Sequence, residues 1–80
     1  MKKKVYELTI TRELIDTDTG TVIDTFSAPE DYYTIRDAEE AAQRYKIGGT
    51  EPGYIDGTKM IICGLHLSRE PQIMDIDNDD

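Results

Sequence analysis

Apolar and polar residues alternate along the first part of the chain, which predicts a β-strand. Between Lys4 and Ile15, one face carries four apolar side chains, with Arg12 as the charge among them. The apolar residues on this face are Tyr6, Leu8, Ile10 and Leu14. The turn-forming run Asp16–Gly20 follows, and its glycine can take the positive φ that closes a bulged hairpin loop. Thr21–Ser27 then predicts a second strand, antiparallel to the first.

The expected hairpin register determines which side chains meet across the two strands. With residues 18–20 at the tip of the loop, Asp24 lies opposite Leu14, and Phe26 lies opposite Arg12. Asp24 is then diagonal to Arg12. We therefore expect Asp24 to be the carboxylate partner of Arg12.

One amphipathic helix is predicted after a loop at Ala28–Tyr33. Thr34, with Asp37 three residues later, resembles a capping box in which Asp replaces the usual Glu or Gln. The helix is expected to extend to about Lys46, and Gly48–Gly49 ends it. Its buried stripe is expected to contain Ile35, Ala38, Ala41 or Ala42, and Tyr45.

The second half of the chain predicts further strands. Thr50–Gly57 is rich in turn residues, and Asp56–Gly57 is typical of a tight hairpin turn. Thr58–Ser68 is the most apolar stretch and predicts a central strand, while Gln72–Ile76 predicts a short edge strand. One face of the central strand is expected to carry Ile61, Cys63, Leu65 and Leu67, and the other face Met60, Ile62 and His66.

The order of these elements predicts an α+β fold. A small antiparallel sheet, in the order β-β-α-β with one further short strand, has one helix packed on one face. Residues 1–80 form a single domain, with residues 77–80 as a frayed acidic tail. Because one helix covers only one face, we expect an open apolar face on which a second copy can pack. This face comprises Val5, Ile15, Ile23, Met60 and Ile62. The expected hairpin register pairs Ile15 with Ile23.

The chain is strongly acidic. It has 17 acidic and 9 basic side chains among 80 residues, for a formal net charge of −8. A field of this sign repels nucleic-acid phosphates and anionic lipid headgroups, so we expect no direct binding to nucleic acid or membranes. The field attracts a basic surface on another protein, although acidity also serves solubility alone. The single Cys63 and the absence of a long apolar segment indicate a cytoplasmic protein.

Few residues of the sequence suit catalysis or metal binding. His66 is the one histidine, and Cys63 is expected to face the core as an inert thiol. The acidic loop between Asp16 and Asp24 invites comparison with calcium-binding loops, but glycine occupies a ligand position and Ser27 replaces the terminal glutamate. A hairpin turn is the preferred interpretation. We predict no catalytic residue, no metal site and no cofactor, and so a protein that is not an enzyme.

One constellation combines carboxylates with tyrosines across the predicted loop and helix. It comprises Glu30, Asp31, Tyr32, Tyr33, Asp37, Glu39 and Glu40. Such a surface suits docking to a basic groove, and a solvated helix face is the structural alternative. We therefore expect a non-catalytic binding protein that occupies a basic surface of a larger protein partner, as an inhibitor or a nucleic-acid mimic.

In size, acidity and lack of recognisable chemistry, the chain is similar to small inhibitors that phages and mobile elements make against host defence, including anti-CRISPR proteins. The likeness is one of type and covers no specific motif, so it assigns no site. Two alternatives come from other classes of protein. One is an assembly module that forms a homodimer through the open sheet face or the Gln72–Ile76 edge, and the other is a calcium-binding accessory protein.

Overall fold

The computed structural model of the chain describes residues 2–46 and 49–75. They form a five-stranded antiparallel sheet with one helix, which confirms the α+β class. The elements are β1 (Lys2–Asp16), β2 (Val22–Tyr32), α1 (Ile35–Arg44), β3 (Thr50–Pro52), β4 (Thr58–Leu67) and β5 (Gln72–Asp75). The predicted helix stop at Gly48, the strand end at Ile76 and the tail at 77–80 lie outside the described residues. Within the described ranges, no helix combines the length and apolar character needed to cross a membrane.

β1 is the central strand of the sheet. The strand order is β2-β1-β4-β3, and β5 pairs with the beginning of β1, from Lys2 opposite Asp75 to Val5 opposite Gln72. A strand of this length rises about 50 Å at roughly 3.3 Å per residue, and the longest dimension of the molecule is 50 Å. The radius of gyration is 15.7 Å, whereas a compact chain of this length has about 12 Å. The molecule is therefore elongated along β1.

The β1–β2 hairpin has the predicted register from the Leu14–Asp24 pair onward, away from its loop. Asp24 pairs with Leu14, and Phe26 pairs with Arg12. Gly20 has a φ of +75°, a conformation that favours glycine, as the turn pattern predicts. The alternation of β1 and the turn residues thus predict the alignment of these two strands except at the start of β2.

A bulge changes the register at the start of β2. Ile15 pairs with Val22, and the predicted pairing of Ile15 with Ile23 is wrong. Ile23 is the extra residue of this bulge, which has no residue directly opposite in β1. Its side chain is 51% exposed.

β2 continues to Tyr32 and so includes most of the segment Ala28–Tyr33, for which the sequence predicts a loop. Pro29 pairs with Thr9 inside the ladder. The N–H of Ser68, which directly follows β4, donates to the carbonyl of Glu7 at 2.9 Å. Main-chain groups alternate in direction along a strand, so the N–H and C=O groups of the odd-numbered residues in this part of β1 point toward β4. The nitrogen of Pro29, opposite Thr9, therefore points away from β1. Proline costs no ladder bond there because β2 is an edge strand.

A second bulge lies in β4 at Cys63. Thr11 pairs with Gly64 and Arg12 pairs with Ile62, which leaves Cys63 as the extra residue. The alternation of side chains therefore changes phase at this position, and the predicted division of β4 into two faces is wrong. Met60, Ile62, Leu65 and Leu67 all lie opposite β1 residues of the helix side. Cys63 is exposed and not in the core, and its thiol donates to the carbonyl of Thr11 at 3.6 Å.

Helix α1 begins at the predicted cap and packs across the sheet. The N–H of Asp37 donates to the Thr34 hydroxyl at 3.1 Å, which caps the first turn. Ala38 and Ala41 are fully buried against the sheet. Small side chains at these positions let the helix approach β1 closely. The core cluster around the helix comprises Leu8, Ile10, Ala41 and Ile62, with Tyr32, Ala42, Tyr45, Leu65 and Leu67 packed against it.

The open face of the sheet does not carry the predicted apolar set. Val5 is 2% exposed and Ile62 is 5% exposed, so both are buried within the chain. Met60 lies on the helix side because of the bulge at Cys63. The open face carries mainly polar residues, which include Thr9, Thr11, Glu13, Thr25 and Ser27, and the hydroxyls of Thr11 and Ser27 are 2.9 Å apart. Ile15 and Ile61 also lie on this face, and Val22, which is 46% exposed, lies opposite Ile15, so the apolar area of the open face is concentrated near the hairpin loop.

Candidate functional site

The alternation of β2 divides the predicted acidic surface between two faces of the sheet. Glu30 lies on the helix side opposite Leu8, whereas Asp31 lies on the open face opposite Glu7. Asp37 is exposed in the first turn of the helix. The structure therefore does not bring the predicted set together as one patch, which comprised Glu30, Asp31, Tyr32, Tyr33, Asp37, Glu39 and Glu40.

Basic side chains already contact several residues of that set. Glu39 forms an ion pair with Arg69 at 2.6 Å, and Glu40 pairs with Arg36 at 3.3 Å along the helix. The ammonium group of Lys3 in β1 lies 5.2 Å from the centre of the Tyr33 ring. These contacts reduce the negative charge that the helix can offer to a partner.

Glu30 is the centre of a polar network on the helix side. The hydroxyls of Tyr32 and Tyr45 both donate to its carboxylate, each at 2.6 Å. The bonds from Tyr32 and then Tyr45 lower the pKa of Glu30. The bond to Glu30 raises the pKa of Tyr32 to about 12, and it also raises the pKa of Tyr45. The network joins β2 to the C-terminal end of α1.

Arg12 extends this network to β3. Its Nε donates to Glu51 at 2.8 Å, and its guanidinium lies 5.7 Å from the centre of the Tyr45 ring. The hydrogen bond with Glu51 raises the pKa of Arg12. The prediction that Asp24 would be the partner of Arg12 is wrong. Glu51 lies opposite Met60 on the same face of the sheet as Arg12, and its carboxylate accepts the hydrogen bond. The cluster connects β1, β2, the end of α1 and β3. We interpret these contacts as structural, because they hold the elements together.

Two turns lie side by side at one end of the sheet. The turn after β1 spans residues 16–21, and the turn between β3 and β4 spans residues 53–57. The N–H and the hydroxyl of Thr17 both donate to the carbonyl of Gly57, each at 3.0 Å. Gly57 has a φ of +79°. The predicted tight hairpin at Asp56–Gly57 is thus a longer connection, because β3 already ends at Pro52.

Carboxylates and exposed apolar side chains gather at these two turns. We call this region the acidic end, and it comprises Asp16, Asp18, Asp24 and Asp56 with Val22, Ile23, Tyr54 and Ile55. Tyr54 is 65% exposed, and its ring centre lies 6.4 Å from that of Phe26. Lys59 is the basic residue that the strand register places closest, whereas Lys2–Lys4 lie at the far end of β1.

The loop considered for calcium has its own hydrogen bonds. The N–H groups of Asp18 and Thr19 donate to one carboxylate oxygen of Asp16, at 2.8 and 3.3 Å. This arrangement is an Asx turn, which shapes the hairpin loop. Among the residues that the structure describes, no group of three or more His, Cys, Asp or Glu side chains is placed to hold a metal ion.

No protein-family model matches this sequence, and neither the curated proteins nor the solved structures contain a significant match. A function can therefore be inferred only from the surface of this chain.

Sequence reasoning found the parts of the acidic end but not their proximity. Asp16–Gly20 and Asp56–Gly57 were both identified as turns. The signal that joins them is the pairing of β1 with β4, which places Asp16 opposite Thr58. Because the turns are about 40 residues apart in sequence, no local pattern connects them.

Proposed function

We propose that this chain is a non-catalytic protein-binding module whose acidic end occupies a basic surface on a larger protein, as an inhibitor or a nucleic-acid mimic. The observation that supports this most directly is the contact between Thr17 and Gly57. It holds the two turns together and so brings Asp18 and Asp56 to the same end of the sheet. A preorganised surface binds better because less conformational entropy is lost on association.

The composition of the acidic end suits a protein partner. Interfaces commonly have an apolar centre with aromatic anchors and a polar rim. Tyr54, Ile55 and Ile23 supply exposed apolar groups, and Asp24 and Asp56 are adjacent to two of them in sequence. A tyrosine that enters a pocket of a partner can contribute about 2 kcal/mol or more. The carboxylates accelerate association with a basic surface and select against acidic ones.

A basic surface that binds phosphates is the partner class that best fits a chain with a net charge of −8. Occupation of that surface would displace the nucleic acid, which is the mode of action of a mimic. We place this activity in the cytoplasm, where an exposed thiol such as Cys63 stays reduced.

The test compares the retention of lysate proteins by the immobilised chain and by two charge-matched variants. Asp18→Lys with Asp56→Lys changes the acidic end, and Glu13→Lys with Asp31→Lys makes the same charge change on the open face. Both double variants have a formal net charge of −4, because each substitution adds two to the −8 of the chain. We expect the first variant alone to lose the partner. Retention should also fall between about 0.1 M and 1 M salt, where the Debye length shortens from about 10 to 3 Å.

Equal loss in both variants would show that only the total charge matters, and would reject the acidic end as the site. For the mimic itself, added DNA or RNA should displace the chain from the retained partner. A partner that binds nucleic acid and this chain at the same time would contradict mimicry and leave only protein binding.

A further inference from the structure

The outer edge of β4 is open over its last residues. β3 pairs with β4 only from Lys59 to Ile61, and the Gly49 carbonyl then accepts the N–H of Ile62 at 2.9 Å. Within the described part of the chain, no strand pairs with that edge from Gly64 to Leu67. This edge is therefore a template for another strand.

The register shows which main-chain groups face that edge. Leu67 lies opposite Leu8, and the bond from the N–H of Ser68 to the carbonyl of Glu7 spans this pair. A pair flanked in this way is not itself hydrogen-bonded, so the N–H and C=O of Leu67 point away from β1. The same holds two residues earlier for Leu65. Two leucines thus present a row of donors and acceptors outward.

The side chains of these leucines border a groove between α1 and β4. Two adjoining cavities of about 420 and 530 Å³ lie there, both with Leu65 and Ala42 in their walls. Lys46 lies at one end of the groove, and Glu39, with its partner Arg69, lies at the other. An apolar groove beside an unpaired strand edge is the arrangement used for strand addition, in which the main chain supplies affinity and alternate side chains fill the groove.

We propose that a second copy of this chain occupies the edge, with the two β4 strands antiparallel and His66 on the two-fold axis. Leu65 of each copy then pairs with Leu67 of the other, and all the outward main-chain groups of the two leucines form hydrogen bonds. The same axis places Lys46 of each copy at the end of the groove where the other copy has the Glu39–Arg69 ion pair. The two apolar grooves face each other across the joined sheet.

Charge is the reason to choose a second copy as the occupant. The segment Cys63–Leu67 contains no charged residue, so two acidic molecules can approach each other here. Lys46 and the Glu39–Arg69 ion pair lie at the rim, outside this uncharged segment. The Gly49 contact with Ile62 ends the open edge, so the pairing is confined to residues 64–68. This interface uses different residues from the acidic end and does not depend on the proposed function.

Ionic strength distinguishes the two interfaces. Two copies with a net charge of −8 repel each other at long range, and salt screens that repulsion. The dimer should therefore become tighter as salt is added, whereas binding of a basic partner should become weaker. Failure of one interface leaves the other measurable in the same buffers.

The first experiment is sedimentation equilibrium over a wide range of protein concentration, at low and high salt. The expected mass approaches twice the 9.1 kDa of one chain as concentration rises. His66→Lys puts two like charges face to face on the axis and should raise the dissociation constant on the order of tenfold. The matched control, Thr25→Lys, makes the same charge change on the same sheet face in β2 and should leave the dimer intact. His66 is exposed, so its substitution does not disturb the core.

The second experiment tests the register. In a Cys63→Ser background, His66→Cys places two thiols at a pair without hydrogen bonds, where the Cα atoms are about 4.5 Å apart. This separation is within the range of a disulfide. Mild oxidation should give a covalent dimer, and Thr25→Cys in the same background should not.

A constant monomer mass at every concentration and salt level would overturn the proposal. A dimer that survives His66→Lys and does not cross-link through His66→Cys would place the interface elsewhere and overturn it equally.

Discussion

The two long edges of the sheet are built differently. The outer edge of β2 contains Pro29, with its nitrogen directed outward, and exposed aspartates at positions 24 and 31. The outer edge of β4 has Leu65 and Leu67 with outward main-chain groups and no charge. Proline and charged residues are common means of keeping an edge strand from pairing with other chains. The edge of β2 is therefore protected, while the edge of β4 is left available beside an apolar groove.

The contrast shows that the edges of this sheet are protected from pairing with other chains only locally, by particular residues. A net charge of −8 alone would keep copies apart everywhere, yet the uncharged stretch lies where a groove can receive apolar side chains. Proline at a solvent-exposed edge removes a main-chain donor and so helps to prevent pairing with another strand. An edge that pairs with another strand needs its N–H donors free. Each prediction below changes one side of this contrast.

The largest expected effect separates the packing of the two sides. Ile62 of β4 is 5% exposed in the core cluster, whereas Ile23 of β2 is 51% exposed at a bulge. Ile62→Ala should lower the free energy of unfolding by about 2–5 kcal/mol because it leaves a cavity. Ile23→Ala should change it by less than about 0.5 kcal/mol. Urea unfolding at one fixed protein concentration measures both, and similar losses in the two variants would contradict the described burial.

A smaller effect is expected at the tie between β2 and α1. Glu30→Gln removes the charge that accepts the hydroxyls of Tyr32 and Tyr45, and should cost about 1 kcal/mol at this partly exposed site. The pKa of Tyr32, now raised to about 12, should return toward its ordinary value of 10.0. A tyrosinate titration followed by absorbance measures this shift. Glu51→Gln, in the same polar cluster but not bonded to Tyr32, is the control.

The same tie gives the stability a defined pH dependence. Because the pKa of Glu30 is lowered on folding, its contribution is present above the ordinary pKa of a glutamate and is lost as the pH falls through the lowered value. Because the pKa of Tyr32 is raised, its contribution is complete below pH 10.0 and is lost as the pH rises toward about 12. In Glu30→Gln both changes should be reduced, and an unaltered pH profile of the unfolding midpoint would contradict the role of Glu30.

The smallest effect on stability is expected at the protected edge. Pro29→Thr restores an outward N–H and should lower the free energy of unfolding by less than about 1 kcal/mol, chiefly because the unfolded chain gains freedom. Association should change more than stability, because the edge of β2 can then pair. Masses above that of a dimer at high concentration are the expected result in sedimentation. Unchanged association would show that the aspartates alone protect this edge.

Local patterns were sufficient for the hairpin and for the helix cap. The pairing of Asp24 with Leu14 follows from side-chain alternation and turn chemistry, and the cap at Thr34 follows from its own spacing to Asp37. The fold class followed from the order of these elements. In each case the interacting residues are close in sequence or are related by one turn.

The errors arose where the decisive partner is distant in sequence. The bulge at Cys63 lies inside an unbroken apolar run, and the adjacent Gly64 was its one local sign. Pro29 favours a loop when the sequence is considered alone. It is compatible with a strand because β2 lies at the edge of the sheet, which the local sequence does not reveal. Arg12 pairs with Glu51 because β3 lies beyond β4, a relation that the sequence pattern does not contain. The acidic end depends on long-range pairing in the same way.

The length and centrality of β1 have a kinetic consequence. Lys2 pairs with Asp75, and Asp16 pairs with Thr58, so one strand must find partners across almost the whole described chain. Topologies dominated by such distant pairings fold slowly, on the order of milliseconds to seconds. Until β1 pairs with it, the uncharged segment Cys63–Leu67 of β4 has both edges open to other extended segments.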